Sequence, residues 1–96
     1  MIEGEFESVV RRWSGEAAWY FALLPPDLAD DIRSRVAHVG FGSVRVTATI
    51  GATTWSTSVF PDKGSGSYVL PVKASVRKAE RIDDGDPVTI HLALIG

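Results

Sequence analysis

The alternation of apolar and polar positions is clearest in the middle of the chain. Residues 42–50 and 53–60 each alternate with a period of two, which predicts two strands with one buried face. Residues 51–52 (Gly-Ala) between them suit a two-residue hairpin loop, because glycine at the first position accepts a positive φ. The resulting register places the large Trp55 side chain opposite Ala48 on one face.

Four further segments have the composition of strands: residues 5–13, 19–24, 67–72 and 87–95. Residues 14–16 (Ser-Gly-Glu) separate the first two of these segments as a turn. Pro25 and Pro26 end the second, because proline has no N–H to donate to a strand ladder.

Two helical segments interrupt the strands. Leu28, Ile32 and Val36 are spaced four apart, so they share one face of a helix, and Gly40 provides its stop. A second, shorter helix is predicted over residues 73–80.

This pattern predicts a mainly β fold with six strands and two helices. Open strand edges invite aggregation, so sheets of this size tend to close on themselves. We therefore expect one domain over residues 1–96, built as a six-stranded closed or pseudo-β-barrel with two short helices that cap its openings.

Composition bounds the partners and the compartment. The chain has 96 residues, no cysteine and a net charge of −2, which argues against an overall electrostatic attraction to nucleic acid or anionic lipid. Its acidic start has no apolar signal segment, and no apolar run has the length of a membrane-spanning helix. We therefore expect a cytoplasmic protein that does not bind membranes.

Catalytic and cofactor motifs are missing from the sequence. The two histidines, His38 and His91, lie far apart and belong to no ligand-spaced cluster, so no metal site is predicted. Residues 64–66 (Gly-Ser-Gly) do not fit a nucleophile elbow or a phosphate-binding loop. We predict no catalytic residue and no cofactor; a non-enzymatic role is favoured, and the question of an activity stays open.

Basic residues cluster on the second predicted helix. Lys73, Arg77 and Arg81 are four apart, and Lys78 is adjacent, so these cations share one side. Crowding of this kind can mark a site for an anion, RNA or DNA. A solvated surface whose cations pair with Glu80, Asp83 and Asp84 is the favoured interpretation. We also expect Lys73 and Arg77 to be exposed, so that removing both leaves folding nearly intact.

The predicted binding residues combine these cations with a lysine of the loop over residues 61–67 and two aromatic side chains: Lys73, Arg77, Lys78, Arg81, Lys63, Tyr68 and Trp55. A second alternative is a small-ligand cavity inside the barrel. Its lining would be aromatic, with Arg12 or Arg45 at the rim: Trp13, Trp19, Tyr20 and Trp55. Because small barrels usually fill their interior with side chains, a core role is favoured for these aromatic residues.

Several runs along the chain carry a resemblance to a known family: Trp19-Tyr20-Phe21, Val44-Arg45-Val46, Gly66-Ser67-Tyr68-Val69-Leu70-Pro71-Val72-Lys73, Val76-Arg77-Lys78-Ala79 and Gly85-Asp86-Pro87-Val88. They resemble the bacterial domain of unknown function family nineteen-oh-five (DUF1905). The resemblance implies a small β-barrel flanked by short helices. It implies no activity, cofactor or catalytic residue.

A second resemblance runs to the AbrB-type swapped-hairpin barrels, and it is carried by six positions: Pro71, Arg77, Ile82, Gly85, Asp86 and Val88. This resemblance implies DNA binding. Members of that type are obligate dimers of a shorter chain, whereas a full-length single barrel does not need to swap. A binding or interaction module that uses the basic helix is therefore the first hypothesis, and a nucleic-acid-binding regulator is the second.

Overall fold

A computed structural model describes residues 2–14, 18–36 and 42–95 of the chain. Its elements follow the order β1 (Glu3–Val9), β2 (Arg11–Ser14), β3 (Ala18–Leu23), α1 (Pro26–Val36), β4 (Val44–Ile50), β5 (Thr53–Asp62), β6 (Ser67–Pro71), α2 (Ala74–Glu80) and β7 (Pro87–Leu94). The strands form one antiparallel sheet in the order β1-β7-β4-β5-β6-β3-β2, which curls into a half-barrel. The mainly β prediction with two helices is confirmed.

Of the predicted six-stranded closed or pseudo-β-barrel, the strand count and the closure are wrong. The first predicted strand is two strands, β1 and β2, and the sheet curls only into a half-barrel. β1 pairs with β7, whereas β2 pairs with β3, so the chain changes partners at Val10. Val10 donates its N–H to the Asp86 carbonyl at 2.9 Å and accepts the Gly85 N–H at 2.7 Å. At Val10 the hydrogen-bond partner is therefore the turn at Gly85 and Asp86 and not a strand. β1 and β2 lie at the two edges of the sheet.

Both edges are partly covered, which limits pairing with other chains. At the β2 edge, the Arg12 N–H donates to the Asp84 carboxylate at 2.9 Å, so the turn that bonds Val10 also bonds the start of β2. At the β1 edge, the Ser8 hydroxyl donates to the Leu23 carbonyl of β3 at 2.9 Å. One backbone N–H of the β2 edge is thereby paired, and the Ser8 side chain links β1 to β3 without closing a full ring of strands.

The central hairpin forms in the predicted register. β4 and β5 pair so that Trp55 lies opposite Ala48 and Thr53 lies opposite Ile50. Gly51 has a φ of 58°, the left-handed backbone that the predicted turn requires. β7 lies on the other side of β4, with Ile90 opposite Ile50.

The core lies on the concave side of the sheet, beneath both helices. α1 contributes Ile32 and Ala29, which are fully buried, and α2 contributes Val76. Val36, whose side chain was predicted to share this face, and Gly40, the predicted stop, lie outside the described side chains. Trp55, at 7% exposure, belongs to this core.

Candidate functional site

α2 is held against the sheet by its one buried side chain, Val76. Lys73 precedes the helix in an extended conformation, and Arg81 ends it with a φ of 55°, in the left-handed region. The Ile82 N–H then donates to the Arg77 carbonyl at 2.9 Å, and the Ile82 side chain returns to the core. This is the usual way a helix closes, except that glycine is the favoured residue at the left-handed position.

A shallow groove of about 310 Å³ follows this end of the helix. Three cations, one carboxylate and two smaller side chains line it: Ala74, Arg77, Lys78, Arg81, Ile82 and Asp83. Three of the predicted binding residues therefore lie together. The lining is predominantly positive, although the whole chain carries a net charge of −2.

Arg77 is the most constrained of these cations. Its guanidinium carbon lies 3.7 Å from the centroid of the Tyr20 ring, and its Nε donates to the Val72 carbonyl at 3.1 Å. Within the described part of the chain, its two terminal nitrogens donate no hydrogen bond. A guanidinium held in this way offers a pair of parallel N–H groups, the geometry that binds a carboxylate or phosphate through two oxygens.

The neighbouring carboxylates bond elsewhere. Glu80 accepts the Thr53 hydroxyl at 2.6 Å, and Asp84 accepts the Arg12 N–H at 2.9 Å. Among the described residues, no salt bridge forms with Arg77, Lys78 or Arg81. The described side chains therefore do not pair these cations with the neighbouring acids, and the interpretation of the helix as a solvated surface stays open.

The other predicted binding residues lie outside the groove. Lys73 is exposed at the start of α2, whereas Lys63 lies in the turn before β6. All of β6, Ser67–Pro71, lies between the two lysines along the chain. Tyr68 and Trp55 are core residues at 3% and 7% exposure, so they are not available as surface contacts.

The aromatic-cavity alternative is wrong for its proposed lining. Trp13 and Trp19 are exposed to solvent, whereas Trp55 is buried, so these side chains do not face a common space. Tyr20 contributes to the groove instead, as the support of Arg77. Its position in a strand far from α2 in sequence gave no signal of this contact, which depends on the β3–β6 pairing.

The described residues offer no group of three His, Asp or Glu side chains placed to hold a metal ion. None of the described helices has the length and apolar character needed to cross a membrane.

The fold and the groove define a small half-barrel domain with a basic helix at one end. The chain belongs to the family described as Domain of unknown function (DUF1905), whose sequence model matches residues 6–92. The matched range includes every residue that lines the groove. A search among curated proteins finds no match to the chain.

Proposed function

We propose that the chain is a non-enzymatic, cytoplasmic binding module that holds an oxyanion, a phosphate or a carboxylate of its ligand, in the α2 groove. The observation that carries this proposal is the arrangement of Arg77. Its guanidinium is fixed by the Tyr20 ring and the Val72 carbonyl, so its terminal nitrogens are positioned before a ligand arrives. Binding then costs little side-chain entropy, which is the usual obstacle for a long cation.

The conformation of Arg81 supports the same proposal. A non-glycine residue in the left-handed region costs about 1 kcal/mol or more relative to glycine. Stability alone therefore favours glycine at this position. The Arg81 side chain lines the groove, so a contact with an oxyanion would explain why an arginine occupies this strained position.

The helix dipole contributes to the placement of these cations. Arg77 and Lys78 lie in the last turn of α2, where positive charge is favoured by a few tenths of a kcal/mol to 1 kcal/mol. This stabilisation explains basic residues at the helix end. The helix dipole does not require the terminal nitrogens of Arg77 to be without a partner, whereas binding of a ligand by these nitrogens does.

Binding is favoured over catalysis because of what lines the groove. Among its residues, Asp83 is the one carboxylate, and its backbone N–H is bonded to Asp86 at 2.8 Å in the turn. The described lining holds no hydroxyl or thiol nucleophile beside a base. Cations of this kind bind and orient an anion.

The test is isothermal titration calorimetry with pyrophosphate, comparing two double variants that remove the same charge. Lys78→Gln/Arg81→Gln removes two groove cations, and Lys63→Gln/Arg35→Gln removes two exposed cations outside the groove. We expect the affinity of the groove variant for pyrophosphate to fall by roughly tenfold or more, because charge-assisted hydrogen bonds are lost. The control variant should bind within about twofold of the unchanged chain.

A second arm of the experiment replaces pyrophosphate by a DNA duplex, which presents the same phosphate chemistry as a polymer. Duplex binding that weakens steeply with salt, and that requires the groove cations, would identify nucleic acid as the source of the oxyanion. Equal losses in the two double variants, or the absence of binding to both probes, would contradict the proposal.

A further inference from the structure

A second surface lies on the convex face of the sheet, away from the core. Four large apolar side chains are exposed there, with exposed fractions of 56% for Trp13, 43% for Trp19, 41% for Phe60 and 39% for Leu23. Scattered exposed apolar residues are normal, whereas a contiguous group indicates a binding surface.

Strand pairing makes this group contiguous. Trp13 and Trp19 lie directly opposite each other on β2 and β3. Leu23 on β3 lies opposite Val69 on β6, which in turn lies opposite Phe60 on β5. The apolar surface therefore crosses four adjacent strands.

Phe21 lies beside the two indoles at one end of this surface. Its ring centroid lies 6.0 Å from that of Trp13 and 6.3 Å from that of Trp19. On β6 its partner is Pro71, which also lies on the convex face. We call this set the outer aromatic face, and it comprises Trp13, Trp19, Phe21, Leu23, Phe60, Val69 and Pro71.

Cations border the outer aromatic face. Arg11 lies opposite Phe21 on β2 and is exposed. The Val72 N–H donates to the Tyr20 carbonyl at 2.9 Å, so the β3–β6 register continues and brings Lys73 opposite Trp19. Each strand partner of these aromatic side chains is apolar or basic, and none is acidic.

We infer that the outer aromatic face binds single-stranded nucleic acid. Bases would stack on the exposed indoles of Trp13 and Trp19, and the phosphates between them would contact Arg11 and Lys73. Exposed aromatic rings beside cations are the combination that binds single strands without a sequence requirement, because every base has an aromatic face. The inference goes beyond the proposed function, since none of these residues lines the α2 groove.

A second copy of the chain fits this surface less well. A two-fold contact places the same surface on both sides, so the face of a second copy brings no acidic partner for Arg11 and Lys73. A stable dimer also buries roughly 800 Å² on each partner, and four partly exposed side chains provide only part of that area. The bordering cations favour an anionic partner, and the planar exposed groups favour stacked bases.

The experiment measures fluorescence anisotropy of a fluorescein-labelled oligothymidylate of twelve nucleotides at low salt, with tryptophan fluorescence as a second readout. Two substitutions at one position separate stacking from general hydrophobic contact. Trp19→Leu should weaken binding roughly tenfold, because stacking of one base is lost. Trp19→Phe keeps an aromatic ring and should lose no more than about threefold. Ile95→Ala, at an exposed apolar side chain outside the face, should bind like the unchanged chain.

Stacking should also quench the tryptophan fluorescence of the unchanged chain, and Trp13→Leu/Trp19→Leu should abolish that quenching. Circular dichroism melts establish that each variant is folded. Equal affinity of Trp19→Leu and Trp19→Phe would overturn the inference, as would a dimer in light scattering that Trp13→Leu dissociates.

The α2 groove is tested in the same assay. If Lys78→Gln/Arg81→Gln abolishes oligonucleotide binding and the tryptophan variants do not, binding depends on the groove and the inference is overturned. Pyrophosphate binding should be unchanged in the tryptophan variants, so a failure of this inference is distinguishable from a failure of the proposed function.

Discussion

The guanidinium of Arg77 lies over the ring of Tyr20, with 3.7 Å between the guanidinium carbon and the ring centroid. Arg77 belongs to α2 and Tyr20 to β3, so the contact joins the helix to the hairpin at one edge of the sheet. The same guanidinium donates through Nε to the carbonyl of Val72, which precedes the helix. Three separate parts of the chain thereby determine where the terminal nitrogens of Arg77 lie.

This contact predicts that a lysine cannot replace Arg77. Arg77→Lys keeps the charge but loses both the guanidinium contact with the ring and the Nε hydrogen bond, so the free energy of unfolding should fall by roughly 1–2 kcal/mol. Urea denaturation measures the change. Tyr20→Phe is the matched control, since it keeps the ring and should change stability by less than about 0.5 kcal/mol. Equal stability of Arg77→Lys and the unchanged chain would show that the stack contributes nothing.

The left-handed conformation of Arg81 predicts that replacing this residue by glycine raises the stability of the fold and weakens pyrophosphate binding. Arg81→Gly relieves the left-handed strain at the end of α2, so the free energy of unfolding should rise by about 1 kcal/mol. The same substitution removes a groove cation and should weaken pyrophosphate binding. Arg81→Ala is the control, because it removes the cation and keeps the strain. A glycine variant that is no more stable than the alanine variant would contradict this explanation of Arg81.

The surroundings of Gly51 predict an energetic coupling between the turn of the central hairpin and Glu80 of α2. A Cβ atom at Gly51 would collide with the Glu80 carboxylate, which accepts the Thr53 hydroxyl beside the turn. Gly66 also has a positive φ, but a Cβ there meets nothing within 4 Å. Gly66→Ala should therefore cost about 1 kcal/mol from backbone strain alone, and Gly51→Ala should cost about 1 kcal/mol more, because the end of the Glu80 side chain must move and give up its hydrogen bond with Thr53.

A double-mutant cycle with Glu80→Ala isolates the steric part of this cost. In the Gly51→Ala background, Glu80→Ala should cost less than in the unchanged chain, because it removes the group with which the new methyl collides. Thermal or urea unfolding provides the four values. If Gly51→Ala and Gly66→Ala cost the same, the carboxylate does not occupy the space beside the turn.

The elements that follow from local pattern were predictable. The β4–β5 hairpin formed in the predicted register because the turn residues and the alternation of its strands require the same pairing. The extent of α2 was predicted to within one residue, since Pro71 ends the preceding strand and the helix ends before Arg81.

The features that depend on long-range pairing were not predictable. Residues 5–13 read as one strand because their composition does not reveal that Val10 bonds to the turn near Asp86. The exposure of Arg77 was also misjudged: its stack on Tyr20 makes it half-buried, so its removal should destabilise the fold, unlike removal of Lys73. Trp13 and Trp19 were expected in the interior because small barrels usually fill it with side chains. They are exposed instead: apolar residues occupy both faces of β3, and side-chain parity alone does not say which face is covered.

The most direct test of the central claim is a ¹H–¹⁵N correlation titration of the chain with pyrophosphate. If the α2 groove holds an oxyanion, the backbone amides of residues 77–83 and the Nε–H of Arg77 will shift together and saturate with one dissociation constant. The amide signals of residues 63–66, a turn that contains the cation Lys63, will not shift. Shifts distributed over all exposed cations, or no saturable shift along α2, would contradict it.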